Sequence, residues 1–159
     1  MRIIGRLLLA GLALLFAVPI GGIVLFVSLS ALFGEALARA APDLIASLFS
    51  AAALDPEFVE EGLTALLFGI LPTLLVLPPL VVLLAGEILG ARSLAFHAGL
   101  TGAITAAMPF LLRSGERAAS PEEVRLSLAL ALSGAAAGMV AWLIAGRSAG
   151  FASPPGSAP

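Results

Sequence analysis

A chain of 159 residues that is 60% hydrophobic and 11% charged carries less than half of the charge, about a quarter of residues, that a soluble domain uses to face water. The absence of cysteine excludes disulfides, thiolate metal sites and thiol nucleophiles. A formal net charge of −2 gives no electrostatic case for binding nucleic acid. The charges gather between long apolar runs, which is the pattern of membrane spans. The sequence predicts one all-α integral membrane domain over 1–150, a four-helix bundle with spans at about 7–33, 62–86, 93–112 and 126–146. The lipid bilayer is its first partner.

After a basic start with Arg2 and Arg6, the run from Leu7 to Gly34 is uncharged and about twice the length of a signal-peptide apolar region. Ala38-Arg39-Ala40 resembles a cleavage site, but the length favours a retained span. Pro19 followed by Gly21-Gly22 predicts a bend near its middle. Between Glu35 and Glu61, Leu44, Ile45, Leu48 and Phe49 recur at helical spacing. They predict a short amphipathic helix, lying at the bilayer interface or packed over the mouth of the bundle.

Asp55-Pro56-Glu57 then reads as a helix start, with Asp as cap and Pro at the first helical position. The second span, Gly62 to Gly86, is 25 residues without a charge. At about 1.5 Å per residue it is long enough to cross a hydrocarbon core of about 30 Å. Pro72, Pro78 and Pro79 interrupt it. The link from Glu87 to Arg92 is short enough to force an antiparallel hairpin, and Glu87 and Arg92 are expected to pair across it. They form a candidate interfacial docking point for a partner or a lipid headgroup.

The third span is the least apolar, with His97, Thr101 and Thr105 among glycines and alanines, so it is expected to be the most enclosed. Ser120-Pro121-Glu122-Glu123 reads as a capping box opening the fourth span. There Gly134 and Gly138 predict close helix packing, within the bundle or between copies of the chain. The tail from Phe151 is rich in Ser, Pro and Gly and is expected to be disordered. An echo joins the second and fourth spans. Each opens on an x-Pro-Glu cap, and they end Leu84-Ala85-Gly86-Glu87 and Ile144-Ala145-Gly146-Arg147.

Four spans place both termini on one side. Arg2, Arg6, Arg92 and Arg147 then share that side, and Arg39, Arg113, Arg117 and Arg125 the other. The tie is broken by the leading pair, which favours cytoplasmic termini. The turn segment Glu87-x-x-x-x-Arg92-Ser93-Leu94 and the segment from Trp142 to Gly150 resemble small uncharacterised inner-membrane proteins of alphaproteobacteria. That resemblance, over less than half of the chain, implies a multi-pass protein of the bacterial inner membrane and no particular activity.

No motif for a hydrolase, a metalloprotease, a phosphate loop or a calcium loop is present, and a lone His cannot build a two-His metal site. No catalytic, cofactor or metal residues are assigned, and an enzyme is not expected. The candidate polar intramembrane site is His97, Thr101 and Thr105, on one helix face at i, i+4, i+8, with the carbonyls that Pro78 and Pro79 release. Either this stripe binds an ion or polar solute, as in a small transporter or channel subunit, or it is hydrogen-bonding glue between helices. The leading expectation is a structural or accessory subunit that packs with a membrane-protein partner or with itself.

Overall fold

The computed structural model describes residues 2–112 and 118–148, all helical apart from caps and turns. The tail from Phe151 and part of the link before the last helix, 113–117, lie outside the described residues. Helix α1 runs from Arg2 to Leu54, and α2 spans Pro56–Thr64. A π-helical segment, Ala65–Ile70, joins α2 to α3, Leu71–Leu89. A second π-helical turn, Ala95–Gly99, leads into α4, Leu100–Leu112. Helix α5 covers Pro121–Ile144 and ends in a 3₁₀ turn, Gly146–Ser148.

Three helical stretches are long and apolar enough to cross a membrane by length and composition: Ile4–Ala36, Pro56–Leu89 and Pro121–Ile144. Ala95–Leu111 is a shorter apolar helix. The four crossings expected from the sequence thus correspond to three full-length apolar helices and one short one.

The largest departure from expectation is α1. No separate amphipathic helix follows the first apolar run; residues 35–54 are the last turns of one 53-residue helix, about 80 Å long. It continues through both Pro19 and Pro42. The composition explains this: from Glu35 to Ala41 the chain is Ala, Leu, Glu and Arg, all strong helix formers. Arg39 also reinforces the helix there, its Nε donating to the Glu35 carbonyl at 3.2 Å. The polar residues of this segment are the solvated surface of a helix. Leu44, Ile45, Leu48 and Phe49 on it are half to three-quarters exposed.

The α1 helix ends at Asp55, which turns the chain back. Its side chain accepts from the Phe58 N–H at 3.1 Å, with Pro56 at the first helical position, as the sequence predicts. From there α2 and α3 run antiparallel to α1. Arg6 near the start of α1 pairs with Glu87 near the end of α3. Farther along, a Cβ on Gly22 would touch Leu75 at 3.9 Å. At the turn, an apolar cleft lies between Ile45, Leu48, Phe49 and Ala52 of α1 and Val59 and Leu63 of α2. The first 89 residues therefore form one long helical hairpin, whose tip extends beyond the rest of the bundle.

Gly90 ends α3 in the left-handed conformation (φ 65°), where a side chain would be strained. Its N–H and that of Ala91 both return to the Gly86 carbonyl. Helix α5 starts in a complete capping box, Ser120 Oγ accepting from Glu123 N–H and Glu123 accepting from Ser120 N–H. It then packs against α1, α3 and α4. Its interior residues are small: Ala129, Ser133, Gly134, Ala137, Gly138 and Ala141 are all buried. Ala13 and Ala17 of α1 and Leu83 of α3 meet Ala137, Ala141 and Ala145 in one cluster. Helices approach closely here because almost nothing but methyl groups lies between them. Ser133 Oγ donates across this contact to the Gly21 carbonyl of α1 at 2.8 Å.

Most large apolar side chains point outward instead. Leu8, Leu15, Phe16, Ile23, Phe26, Ile88, Leu128 and Leu143 are all exposed. A protein in water rarely leaves so continuous an apolar exterior.

Candidate functional site

The polar face of the π-turn and α4 is built on a four-residue spacing: Ser93, His97, Thr101 and Thr105. His97, Thr101 and Thr105 pack against Gly134 and Gly138 of α5 and Gly146 of the 3₁₀ turn that follows it. The pairing follows from which positions lack side chains. A Cβ on Gly134 would lie 2.5 Å from Thr105 Oγ1 and 2.9 Å from the Thr101 carbonyl. One on Gly138 would lie 2.5 Å from the His97 carbonyl and 2.8 Å from Thr101 Oγ1. On the other partner, a Cβ on Gly102 would meet the Ala131 carbonyl at 3.0 Å. Gly134 and Gly138 thus serve helix contact inside this chain, one of the two uses their spacing allows.

His97 is buried, with 1% of its surface exposed. It sits in the π-helical turn, a wider turn that often marks a local constraint in a helix. Its Nδ1 is 3.1 Å from the Ser93 carbonyl. A carbonyl can only accept, so this bond requires a proton on Nδ1. Nε2 makes no hydrogen bond to the protein. It points into a slot between two glycines: a Cβ on Gly86 would be 2.7 Å from it, and one on Gly146 2.8 Å. The ring of Phe96 closes on the imidazole edge-on at a centroid distance of 5.3 Å.

Of the threonines, Thr105 donates to the Thr101 carbonyl at 2.8 Å, while the buried Thr101 hydroxyl has no hydrogen-bond partner in the protein. The face reads as a closely fitted polar seam. Its hydroxyls and ring are held against glycines rather than around a space.

Pro78 and Pro79 are buried within α3, but the α3 residue at the His97 ring is Gly86. That is seven residues beyond Pro79, about 10 Å along the helix.

Glu87 pairs with Arg6, a contact that joins α3 to α1. Both side chains are about three-quarters buried, with 25% and 28% exposed. The antiparallel register of the long hairpin brings Arg6 to this position. The link from Glu87 to Arg92 spends its residues on the Gly90 cap. Arg92 is joined to α5 through its backbone: its carbonyl accepts from Trp142 Nε1 at 2.8 Å. Over the same indole lies the Arg147 guanidinium, 5.8 Å from the ring centroid, within cation–π range.

Gly86, Gly146, Arg6 and Ser133 were not identified from the sequence as functional or contact residues. For the two glycines a signal existed in the matching ends of the second and fourth spans, Leu-Ala-Gly-Glu and Ile-Ala-Gly-Arg. The structure shows what the two endings share: each delivers a glycine to the same imidazole. Among the described residues, no group of three or more His, Asp or Glu side chains is placed to hold a metal ion. In comparisons with known proteins, the chain matches no family model, no curated protein and no solved structure.

Proposed function

We propose that this chain is a multi-pass protein of the bacterial inner membrane that crosses the bilayer four times and acts as a structural or accessory subunit. On this reading it packs with a membrane-protein partner or with a second copy of itself and transforms no substrate. The observation that carries the reading is the His97–Thr101–Thr105 seam, which meets Gly86, Gly134, Gly138 and Gly146 at distances that leave no room for a solute. The polar groups best suited to a transport site are thereby spent on holding helices together. The apolar exterior is left facing lipid or another protein.

The fourth crossing is the helical stretch of residues 94–112, about 28 Å long, flanked in sequence by Arg92 and Arg113. Cytoplasmic termini follow from Arg2 and Arg6 at the head of the first crossing. The absence of cysteine makes this directly testable. A membrane-impermeant thiol reagent added to whole cells should label a Ser50→Cys variant and spare Ser148→Cys; the reverse pattern inverts the topology. Crosslinking in native membranes followed by purification should recover a stoichiometric partner or a homo-oligomer. A chain recovered alone would count against the accessory role.

A second reading, a small transporter or channel subunit, is favoured by one observation: His97 Nε2 and Thr101 Oγ1 are buried without protein partners. Flux through proteoliposomes that falls selectively in His97→Ala, and not in Leu→Ala controls, would establish it over the first.

A further inference from the structure

The apolar stretches of α1 and α5 end at the same level. Gly21 of α1 lies against Ser133 and Ala137 of α5, where a Cβ on the glycine would stand 3.1 Å from the Ala137 methyl. The two helices run antiparallel, with Ala13 and Ala17 meeting Ala137 and Ala141 farther along. Glu35, fourteen residues on from Gly21, is the first charge after the apolar run of α1, and Arg39 follows one turn later. This register brings both level with Glu122 and Arg125, which stand before the apolar run of α5.

Glu35, Arg39, Glu122 and Arg125 line one recess of about 360 Å³, a size that suits a small polar group. Phe33 and Glu122 also line a neighbouring groove, with Leu29, Leu126 and Glu123. The carboxylate of Glu123 accepts from the Ser120 N–H in the α5 cap. Leu29, Phe33 and Leu126 are half-buried. An apolar groove between α1 and α5 therefore runs directly into a charged recess.

The recess holds two carboxylates and two guanidinium groups, so its formal charges cancel. Arg39 and Glu35 stand 3.9 Å apart and are largely exposed, a loose pair that gains little by itself. Among the described residues Glu122 and Arg125 form no ion pair. An anion entering the recess meets two carboxylates, and a cation meets two arginines. A zwitterion is matched at both ends. Guanidinium groups bind phosphate oxygens well, and a primary ammonium offers carboxylates three N–H donors that a quaternary ammonium lacks.

We propose that Glu35, Arg39, Glu122 and Arg125 bind the zwitterionic headgroup of phosphatidylethanolamine. The arginines take its phosphate, the glutamates take its ammonium, and one acyl chain lies along Leu29, Phe33 and Leu126. The site rests on the membrane-spanning reading proposed above. The lipid bridges α1 and α5 just before α1 continues into the hairpin tip.

The test is native mass spectrometry of the full chain, purified from membranes in detergent and titrated with short-chain phospholipids. The wild type should bind one phosphatidylethanolamine saturably, about fivefold more tightly than phosphatidylcholine, the upper end for an exposed charge pair. In R125Q the affinity for phosphatidylethanolamine should fall about fivefold, and in R39Q/R125Q about thirtyfold. In E35Q/E122Q the preference over phosphatidylcholine should vanish. Phosphatidylglycerol, which carries the phosphate without an ammonium, should bind that variant more tightly than it binds the wild type. All four side chains are exposed, so these substitutions leave the packed interior untouched. A D43N/E57Q control outside the recess should titrate as the wild type does.

Equal affinity of the wild type for phosphatidylethanolamine and phosphatidylcholine overturns the site, as does tighter binding of phosphatidylglycerol or an R125Q variant that titrates unchanged. If soluble phosphoethanolamine displaces the lipid at the same concentrations, the groove holds no acyl chain and the lipid assignment fails. A chain recovered from the soluble fraction without detergent overturns the membrane reading. A chain that needs detergent and shows no headgroup preference overturns this site alone.

Discussion

Gly146 stands so close to His97 that a methyl group in its place would lie 2.8 Å from the ring nitrogen Nε2. Gly86 stands as close on α3. The imidazole is also tied to the Ser93 carbonyl through Nδ1, so it cannot rotate away from one intruding methyl without meeting the other wall. Gly86→Ala and Gly146→Ala should each destabilise the bundle by about 1–3 kcal/mol, the usual cost of overpacking. Thermal unfolding in detergent would measure it. In a His97→Ala background the same substitutions should cost much less, and purely additive effects would show that the ring is not what they meet.

Gly138→Ala should be the most damaging of the α5 substitutions. The methyl would meet the His97 carbonyl at 2.5 Å, and backbone cannot step aside as a side chain can. Gly11 gives the matched control: it is exposed on α1, and a methyl group added there would have nothing within 4 Å. Gly11→Ala should stabilise by about 0.5–1 kcal/mol through helix propensity alone. Thermal midpoints for the pair should move in opposite directions.

Two of the buried hydroxyls of this bundle, those of Ser133 and Thr101, should respond differently to removal. Ser133 donates to Gly21 across the α1–α5 contact, so Ser133→Ala should cost about 0.6 kcal/mol, the typical worth of such a bond between membrane helices. The Thr101 hydroxyl has no protein partner, and an unpaired polar group gains nothing from burial. Thr101→Val should therefore change the unfolding midpoint little or raise it. A large loss at Thr101 would indicate that its hydroxyl binds something the second functional reading requires.

The Arg6–Glu87 pair fixes the open ends of the long hairpin to each other. Each side chain keeps about a quarter of its surface exposed, and solvent screening limits the pair to about 1 kcal/mol. Glu87→Gln should lose about that much, and the loss should shrink at high salt, where the wild-type pair is screened. The exchanged variant, Arg6→Glu with Glu87→Arg, should recover most of the loss in the same unfolding assay.

Local rules carried the helix starts. Asp55-Pro56 and Ser120-Pro121-Glu122-Glu123 are read from a few neighbouring residues, and both caps form as their chemistry requires. The polar face of α4 was legible for the same reason, since His97, Thr101 and Thr105 declare one face by spacing alone. What faces them was not, because Gly86 and Gly146 arrive from eleven residues before and 49 residues after His97. No local pattern states that two helix ends will converge. Glu87 illustrates the point: its sequence neighbour Arg92 was the natural partner, and a register contact 81 residues away supplied another. The length of α1 was hidden differently. Charges between Glu35 and Glu61 end the apolar run, and a helix continues through polar residues that are good helix formers.

That continuity gives the hairpin tip a mechanical meaning. The 18 residues of α1 after Ala36 extend about 27 Å as a single hydrogen-bonded rod. A tilt of about 10° in α1 about Gly21, 33 residues or about 50 Å from its end, would swing Leu54 by about 9 Å. Gly21 and Ala17, where α1 bears on α5, act as the fulcrum. A force applied to the hairpin tip would reach the alanine contacts between α1 and α5 without passing through a flexible joint.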